Sequence, residues 1–266
     1  MKNPGCTKTE IIRINQNQAE KKSDVVVTEK AVTIMIDKVG SFTIMATPCD
    51  IEALAAGFIF SEGLITGSDD IVSVTVKDSM PDVVGIEVAD PGKISIQRNL
   101  IIASSCGMCG VRNIDKMLEN MPKCPDRLKL TENEIFKAAE NLVSSQDLFR
   151  ATGGSHAAAI FDARGNIITS AEDIGRHSAL DKAIGKCILA NQPTPGCGAV
   201  LSGRISLEMV TKAAKAGLEL IAAVSAPSSF AVHAAEKWNV TLCGFVRDKR
   251  LNIYTRPERI TALDIN

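Results

Sequence analysis

From residue 23 onward, apolar and polar positions alternate in short runs. SDVVVTEK, AVTIMID and GSFTIMA are strand-length and β-branched, and Asp-Lys-Val-Gly divides the last two, a pattern that predicts an antiparallel meander. At Thr47 the period changes. Thr47 suits an N-cap, Pro48 the first helical position, and Asp50 and Glu52 the first turn. A helix is therefore expected over DIEALAAGFIFSEG, ending at Gly63. DIVSVTV, VVGIEVA and KISIQRN read as further strands. Apolar NLIIA follows, then a helix-like VRNIDKMLENM, which the prolines of MPKCPDRLK break.

The second half changes rhythm. TENEIFKAAENLV opens with a capping box, Thr131 with Glu134. HAAAIFD and NIITSAE read as a hairpin over an Ala-Arg-Gly turn. RHSALDKAIGKCILA, SLEMVTKAAKAG and SSFAVHAAEKW read as helices. GAVLSG, ELIAAVSA, VTLCGFVR and LNIYT read as the strands between and after them. Strand–helix alternation implies crossover units and a partly parallel sheet covered by helices. The expected fold class is α/β (α+β overall) in three parts: a loose polar N-terminus over 1–22, a β-rich subdomain over 23–125 that ends in the Cys-x-x-Cys segment, and an α/β subdomain over 126–266.

Composition narrows the function classes. A chain of 266 residues buries a sizeable core without a disulfide or a metal. Hydrophobic residues make up 45% but aromatics only 4%, so Ala, Ile and Val carry that core. A net charge of −1 argues against a dedicated nucleic-acid binder. No run approaches the ~18 apolar residues of a membrane helix, and the N-terminus lacks a signal-like stretch. A cytoplasmic protein without a membrane partner is expected. In a reducing compartment a close cysteine pair is more often catalytic or metal-binding than structural.

That pair is in SSCGMCG, at Cys106 and Cys109. A structural zinc site wants four ligands, and only Cys124 and a histidine are candidates to complete it. A deaminase-type zinc needs an H-x-E segment before a P-C-x-x-C, and neither is present. A thioredoxin-like dithiol sits after the first strand of a small βαβ fold, whereas this pair lies deep in the chain. A nucleophilic thiol that carries a group suits the flexibility of Gly107 and Gly110, with Arg112 or a helix N-terminus to activate the thiolate. Spacing alone does not choose between sulfur and electrons. The scattered Cys6, Cys49, Cys124, Cys187, Cys197 and Cys243 read as small core residues.

Polar and glycine residues also gather where strands meet helices: TGGSHAA, AEDIGRHSALDK, LSGRISLEM and VSAPSS. If the strands are parallel, three of these junctions share one sheet end, where helix N–H groups suit phosphate. Arg176, His177 and Arg204 stand there, so an anionic, phosphorylated ligand is expected. Ordinary loop punctuation is the plainer alternative. His156 shares this setting, Asp181 and Lys182 could face the same site, and His233 reads as an ordinary hydrogen-bonding residue within a helix.

SEGLI (Ser61 to Ile65), SCGMCG, GGSHAA, EDIGRHSALDK, LSGRISLEMV, VSAPSS and GFVRDKR, in this order, resemble the FdhD family of accessory proteins for formate dehydrogenase. The resemblance implies a fold like that of the cytidine deaminases, without tightly held zinc, and a homodimer. It implies that persulfide sulfur is accepted from a cysteine desulfurase of the IscS type. The sulfur is then passed to molybdenum in Mo-bis(molybdopterin guanine dinucleotide), a bound substrate, before that cofactor enters apo formate dehydrogenase. The catalytic pair falls on Cys106, the first persulfide carrier, and Cys109. The family's cofactor contact falls on Phe245, Val246, Arg247, Asp248, Lys249 and Arg250, and the junction residues His177 and Arg204 complete the expected binding set. Two other classes stay open: a cofactor-binding chaperone without sulfur transfer, and a thiol-disulfide oxidoreductase.

Overall fold

The computed structural model describes residues 4–77, 80–94, 100–102, 118–119 and 121–261. The cysteine pair at 106 and 109, most of KISIQRN and most of VRNIDKMLENM lie outside the described residues.

The first sheet comprises β3 (Lys30–Ile36), β4 (Gly40–Ala46), β5 (Ile71–Lys77), β6 (Met80–Val88) and β7 (Leu100–Ile102), in the order β5-β6-β3-β4-β7. β3 and β4 form the expected antiparallel hairpin, while β6 and β7 run parallel to β3 and β4 respectively. Strand alternation sends Val32, Ile34, Phe42 and Ile44 to one face, where α1 (Ile51–Ser61) lays Leu54, Phe58 and Ile59. Phe42 and Phe58 meet edge-on with centroids 5.2 Å apart.

The second sheet is mixed, with six strands in the order β13-β12-β11-β10-β8-β9. They are β8 (His156–Phe161), β9 (Ile167–Asp173), β10 (Gly198–Leu201), β11 (Leu220–Ala223), β12 (Thr241–Arg247) and β13 (Arg250–Thr255). Between them run α2 (Glu132–Ser144), α3 (Asp147–Thr152), α4 (Arg176–Leu189), α5 (Leu207–Lys215) and α6 (Ser229–Lys237). β10, β11 and β12 are parallel, as the crossover rhythm implied. α4, α5 and α6 cover one face, packing on Ile160, Leu201, Ile221 and Leu242. α2 covers the other, with Ile135, Ala138 and Leu142 against Phe161, Val200 and Cys243. α2 starts with the expected capping box at Thr131 and Glu134.

The two sheets join through a helix crossing. A Cβ on Gly57 of α1 would collide with the Asp181 carbonyl oxygen of α4, and one on Gly185 with that of Ala53. Only glycine lets these backbones touch, and the contact carries the first sheet onto the second.

Three expectations need correction. Residues 1–22 do not form one loose segment: β1 (Cys6–Asn15) and β2 (Gln18–Val27) make an antiparallel ribbon. Gln16 and Asn17 supply the positive φ values of 45° and 67° that a tight hairpin turn needs, though neither is a glycine. SDVVV therefore pairs with β1 rather than opening a meander with β3. Thr47 does not cap α1. The N-cap is Asp50, held at φ 51°, and its carboxylate pairs with Lys186 at 2.7 Å.

Candidate functional site

β9, β10, β11 and β12 all point the same way, so their C-terminal ends share one edge of the second sheet. Three of those ends lead into helices: β9 through Ile174 and Gly175 into α4, β10 through 202–206 into α5, and β11 through 224–228 into α6. The expected convergence of helix N-termini is therefore present, and each offers unbonded N–H groups and the positive end of a dipole.

The turn into α4 is built around Asp173. Gly175, the N-cap, has no side chain to cap with, and its amide donates instead to Asp173 Oδ1 at 2.8 Å. The other carboxylate oxygen accepts from the Thr47 amide at 3.0 Å and from Lys182 Nζ at 2.6 Å. Lys182 also donates to the Thr47 carbonyl at 2.8 Å, and Ile174 N donates to Thr47 Oγ1 at 3.1 Å. Asp173, Lys182 and Thr47 are fully buried. Burial pushes the Asp173 carboxyl up from its ordinary value, against the pull of the Lys182 ammonium. This knot fixes the first turn of α4, which presents Arg176 and His177.

His177 is buried, and its Nε2 lies 2.6 Å from Glu208 Oε2 in the first turn of α5. The contact is close but poorly directed, so both ring nitrogens lack an aligned hydrogen-bond partner among the described residues. Arg176 Nε and Ser206 Oγ, at the α5 N-cap, are also buried without a partner. His156, at the head of β8, lies beside Gly203 and Arg176. Its imidazole is pushed below its ordinary pKa by burial and then by the charges of Arg176 and Arg204. Sequence reasoning overlooked Ser206 and Glu208; their place at the first turn of a strand-to-helix junction was the available signal.

Asp181 and Lys182 do not face this edge. Asp181 accepts from Lys212 at 2.7 Å and from Ser61 Oγ at 2.7 Å, and Lys182 belongs to the Thr47 knot. The Ser61 and Asp181 motifs thus meet inside the molecule. His233 is exposed on α6.

The strand end Phe245 to Arg250 stands two strands away, and it faces the α2 side. A bulge between Gly244 and Arg247 turns the strand, and Phe245 sits at φ 56° with its amide bonded to the Ser225 carbonyl at 3.2 Å. Val246 is buried against α2, while Arg247, Asp248, Lys249 and Arg250 are exposed. A cavity of about 380 Å³ opens there, with Phe136, Val143, Val224 and Val246 as apolar walls and Arg247 and Lys249 at its lip. That is ligand-sized. The expected binding residues therefore fall into two groups on opposite faces of one sheet edge, His177 and Arg204 in one and 245–250 in the other.

Of the six described cysteines expected in the core, Cys6 and Cys49 are only half-buried, at the edge of the β1–β2 ribbon and in the turn before α1. Cys124, Cys187, Cys197 and Cys243 are buried, as expected of core residues, and burial raises their thiols, to about 11 for Cys124 and Cys197 and about 12 for Cys243. Among the described residues no three His, Cys, Asp or Glu side chains gather as a metal site, and no helix is long and apolar enough to cross a membrane.

Known proteins resemble this chain over nearly its whole length. The model of the FdhD/NarQ family matches residues 27–261. A sulfur carrier protein FdhD from Bordetella parapertussis is 37% identical, covering 97% of this chain and 96% of the relative. One from Saccharolobus solfataricus is also 37% identical, covering 94% and 96%. The crystal structure of a formate dehydrogenase accessory protein from Desulfotalea psychrophila superposes with a TM-score of 0.78 at 25% identity, covering 97% of this chain and all of that one.

Proposed function

The chain belongs to the FdhD/NarQ family, and from that membership we propose that it takes sulfur from a cysteine desulfurase as a Cys106 persulfide and passes it to Mo-bis(molybdopterin guanine dinucleotide). In coarser terms it is a sulfur carrier of formate dehydrogenase maturation, the role its full-length relatives are named for. The end-to-end match to those carriers is the observation on which this reading rests.

The residues support the finer steps. The four buried thiols are held protonated at neutral pH, which argues against them as sulfur bearers; Cys6 and Cys49 are half-buried, and family membership, not elimination, puts the role on Cys106 and Cys109. β7 pairs with β4 as far as Ile102 opposite Ile44, three residues before Thr47. Cys106 follows Ile102 by four residues, a tether of at most about 14 Å. The cofactor is substrate here, and the chain offers places for its phosphates on both faces of the sheet edge. The apolar cavity beside Val246 takes a nucleotide base, with Arg247, Lys249 and Arg250 for its diphosphate, and His177 and Arg204 face phosphate from the other side. A two-fold dimer, with apo formate dehydrogenase as the recipient of the sulfurated cofactor, completes the proposal.

The test is intact-protein mass spectrometry after incubation with a cysteine desulfurase and L-cysteine, without reductant. A gain of about 32 Da, reversed by dithiothreitol and absent in Cys106→Ala, supports persulfide carriage. Loss of two hydrogens on mild oxidation, with no sulfur gain, makes the pair a redox dithiol. Formate dehydrogenase activation that survives Cys106→Ala leaves a cofactor-binding chaperone.

A further inference from the structure

We propose that the corner between the α4 and α5 N-termini, where the junction pattern already placed Arg176 beside His177 and Arg204, is a built site for a tetrahedral oxyanion, separate from the cavity beside Val246, with the buried Ser206 hydroxyl as a further ligand. It rests on the cofactor reading only for its natural ligand, which is either a phosphate of that nucleotide or a free inorganic oxyanion.

Three observations carry the site. The first is the set of orphaned groups. Arg176 Nε, Ser206 Oγ and His177 Nδ1 are all buried with no partner among the described residues, and His177 is only 3% exposed. Buried polar groups are hydrogen-bonded in the large majority of cases, so three orphans from two adjoining helix starts mark a missing partner. The second is charge. Of the carboxylates nearby, Asp173 is engaged with Lys182, and Glu208, which stands 2.6 Å from His177 Nε2, has a further partner of its own. Among the described residues neither Arg176 nor Arg204 has a carboxylate partner. The corner therefore keeps two uncompensated guanidinium groups beside two helix N-termini, an arrangement for a dianion.

The third observation is the packing at Gly203. Gly203 has no positive φ, and Gly175 lies at φ −99° and ψ 125°, so neither backbone conformation demands glycine. A Cβ on Gly203 would stand 3.3 Å from His156 Nδ1, tighter than ordinary van der Waals contact, and 3.6 Å from Arg176 Cβ, so glycine is what lets the histidine and the arginine close in on this turn. A hydroxyl donor, a guanidinium and the free amides of two helix starts are the groups that suit the oxygens of phosphate or sulfate.

The experiment is equilibrium dialysis of the full chain with radiolabelled sulfate and with phosphate, repeated in Arg176→Gln, Ser206→Ala and Gly203→Ala. Saturable binding that weakens about tenfold in Arg176→Gln, and also falls in the other two, is expected. Lys22→Ala, on the exposed β2 ribbon, is expected to leave sulfate binding unchanged. GDP is then added. Competition with sulfate assigns the corner to a nucleotide phosphate, and independent binding assigns it to a free oxyanion. No saturable binding, or binding indifferent to all three corner variants, overturns the site. Unfolding midpoints of the variants identify any loss that comes from misfolding. Sulfur gain on Cys106 is measured separately, so it fails or stands independently of this result.

Discussion

The Thr47 amide, at the end of a strand of the first sheet, donates to the Asp173 carboxylate at the end of a strand of the second, at 3.0 Å and in full burial. Asp173 in turn holds Gly175, and so sets where Arg176 and His177 stand. The oxyanion corner is organised from the other half of the molecule.

Lys182→Met tests this knot most severely. It leaves Asp173 buried and unpaired, and is expected to cost about 3–5 kcal/mol in chemical denaturation. Thr47→Val is milder. It removes only the acceptor for Ile174 N, for about 1–2 kcal/mol, and sulfate affinity at the corner is expected to fall with it. Unchanged stability in both variants would mean the knot is incidental.

Sulfate binding should depend on pH through His156. The groups facing it are Arg176 and His177 on α4, Arg204 before α5 and Asp173 at the end of β9. Its pKa is held below the ordinary 6.5, chiefly by burial. A bound dianion pulls it upward, so binding takes up a proton. Affinity is then expected to rise from about pH 8 to about pH 5.5, a range in which sulfate itself stays doubly charged. In His156→Gln the slope is expected to flatten, and isothermal titration at several pH values decides it.

At the start of α2, Thr131→Ala is expected to cost about 1 kcal/mol at neutral pH. Hydrogen bonds from Thr131 hold the Glu134 carboxyl below its ordinary 4.5. A carboxyl lowered by folding contributes stability that is complete above its unfolded value and lost as pH falls through its folded value. The cost of the substitution should therefore shrink below about pH 4. Urea midpoints of both proteins across the acid range measure it.

Lys249 offers a trade between stability and binding. It sits at φ 54°, after Asp248 at φ 53°, where glycine is the natural occupant. Lys249→Gly is expected to stabilise the protein by up to about 1 kcal/mol while weakening GDP binding. A variant that gains stability and keeps full GDP affinity would remove Lys249 from the nucleotide contact.

Much of this was legible in residue order. The switch from alternation to a 3.6 period marks the second half, and Thr131 with Glu134 fixes the start of α2, because such signals are local. The convergence of three junctions was legible as soon as the strands were taken as parallel. What stayed hidden depends on partners far along the chain. Thr47 looked like a cap because its neighbours are good first-turn residues, but its hydroxyl serves Ile174, 127 residues away. Asp181 and Lys182 looked site-facing by spacing, yet burial and cross-chain partners turn them inward. The split of His177 and Arg204 from Phe245 to Arg250 follows from which face of a strand each element covers, and no periodicity reports that.

The crossing of Gly57 over Gly185 has a consequence for inheritance. α1 is encoded with the first sheet, yet its glycine face is finished only by α4. A recombination joint near residue 125 would hand each descendant half a helix pair with a bare glycine seam, closed by nothing in its new host. The sheet that leads to the cysteines and the sheet that carries the anion corner must therefore travel together through evolution, exchanged whole or not at all.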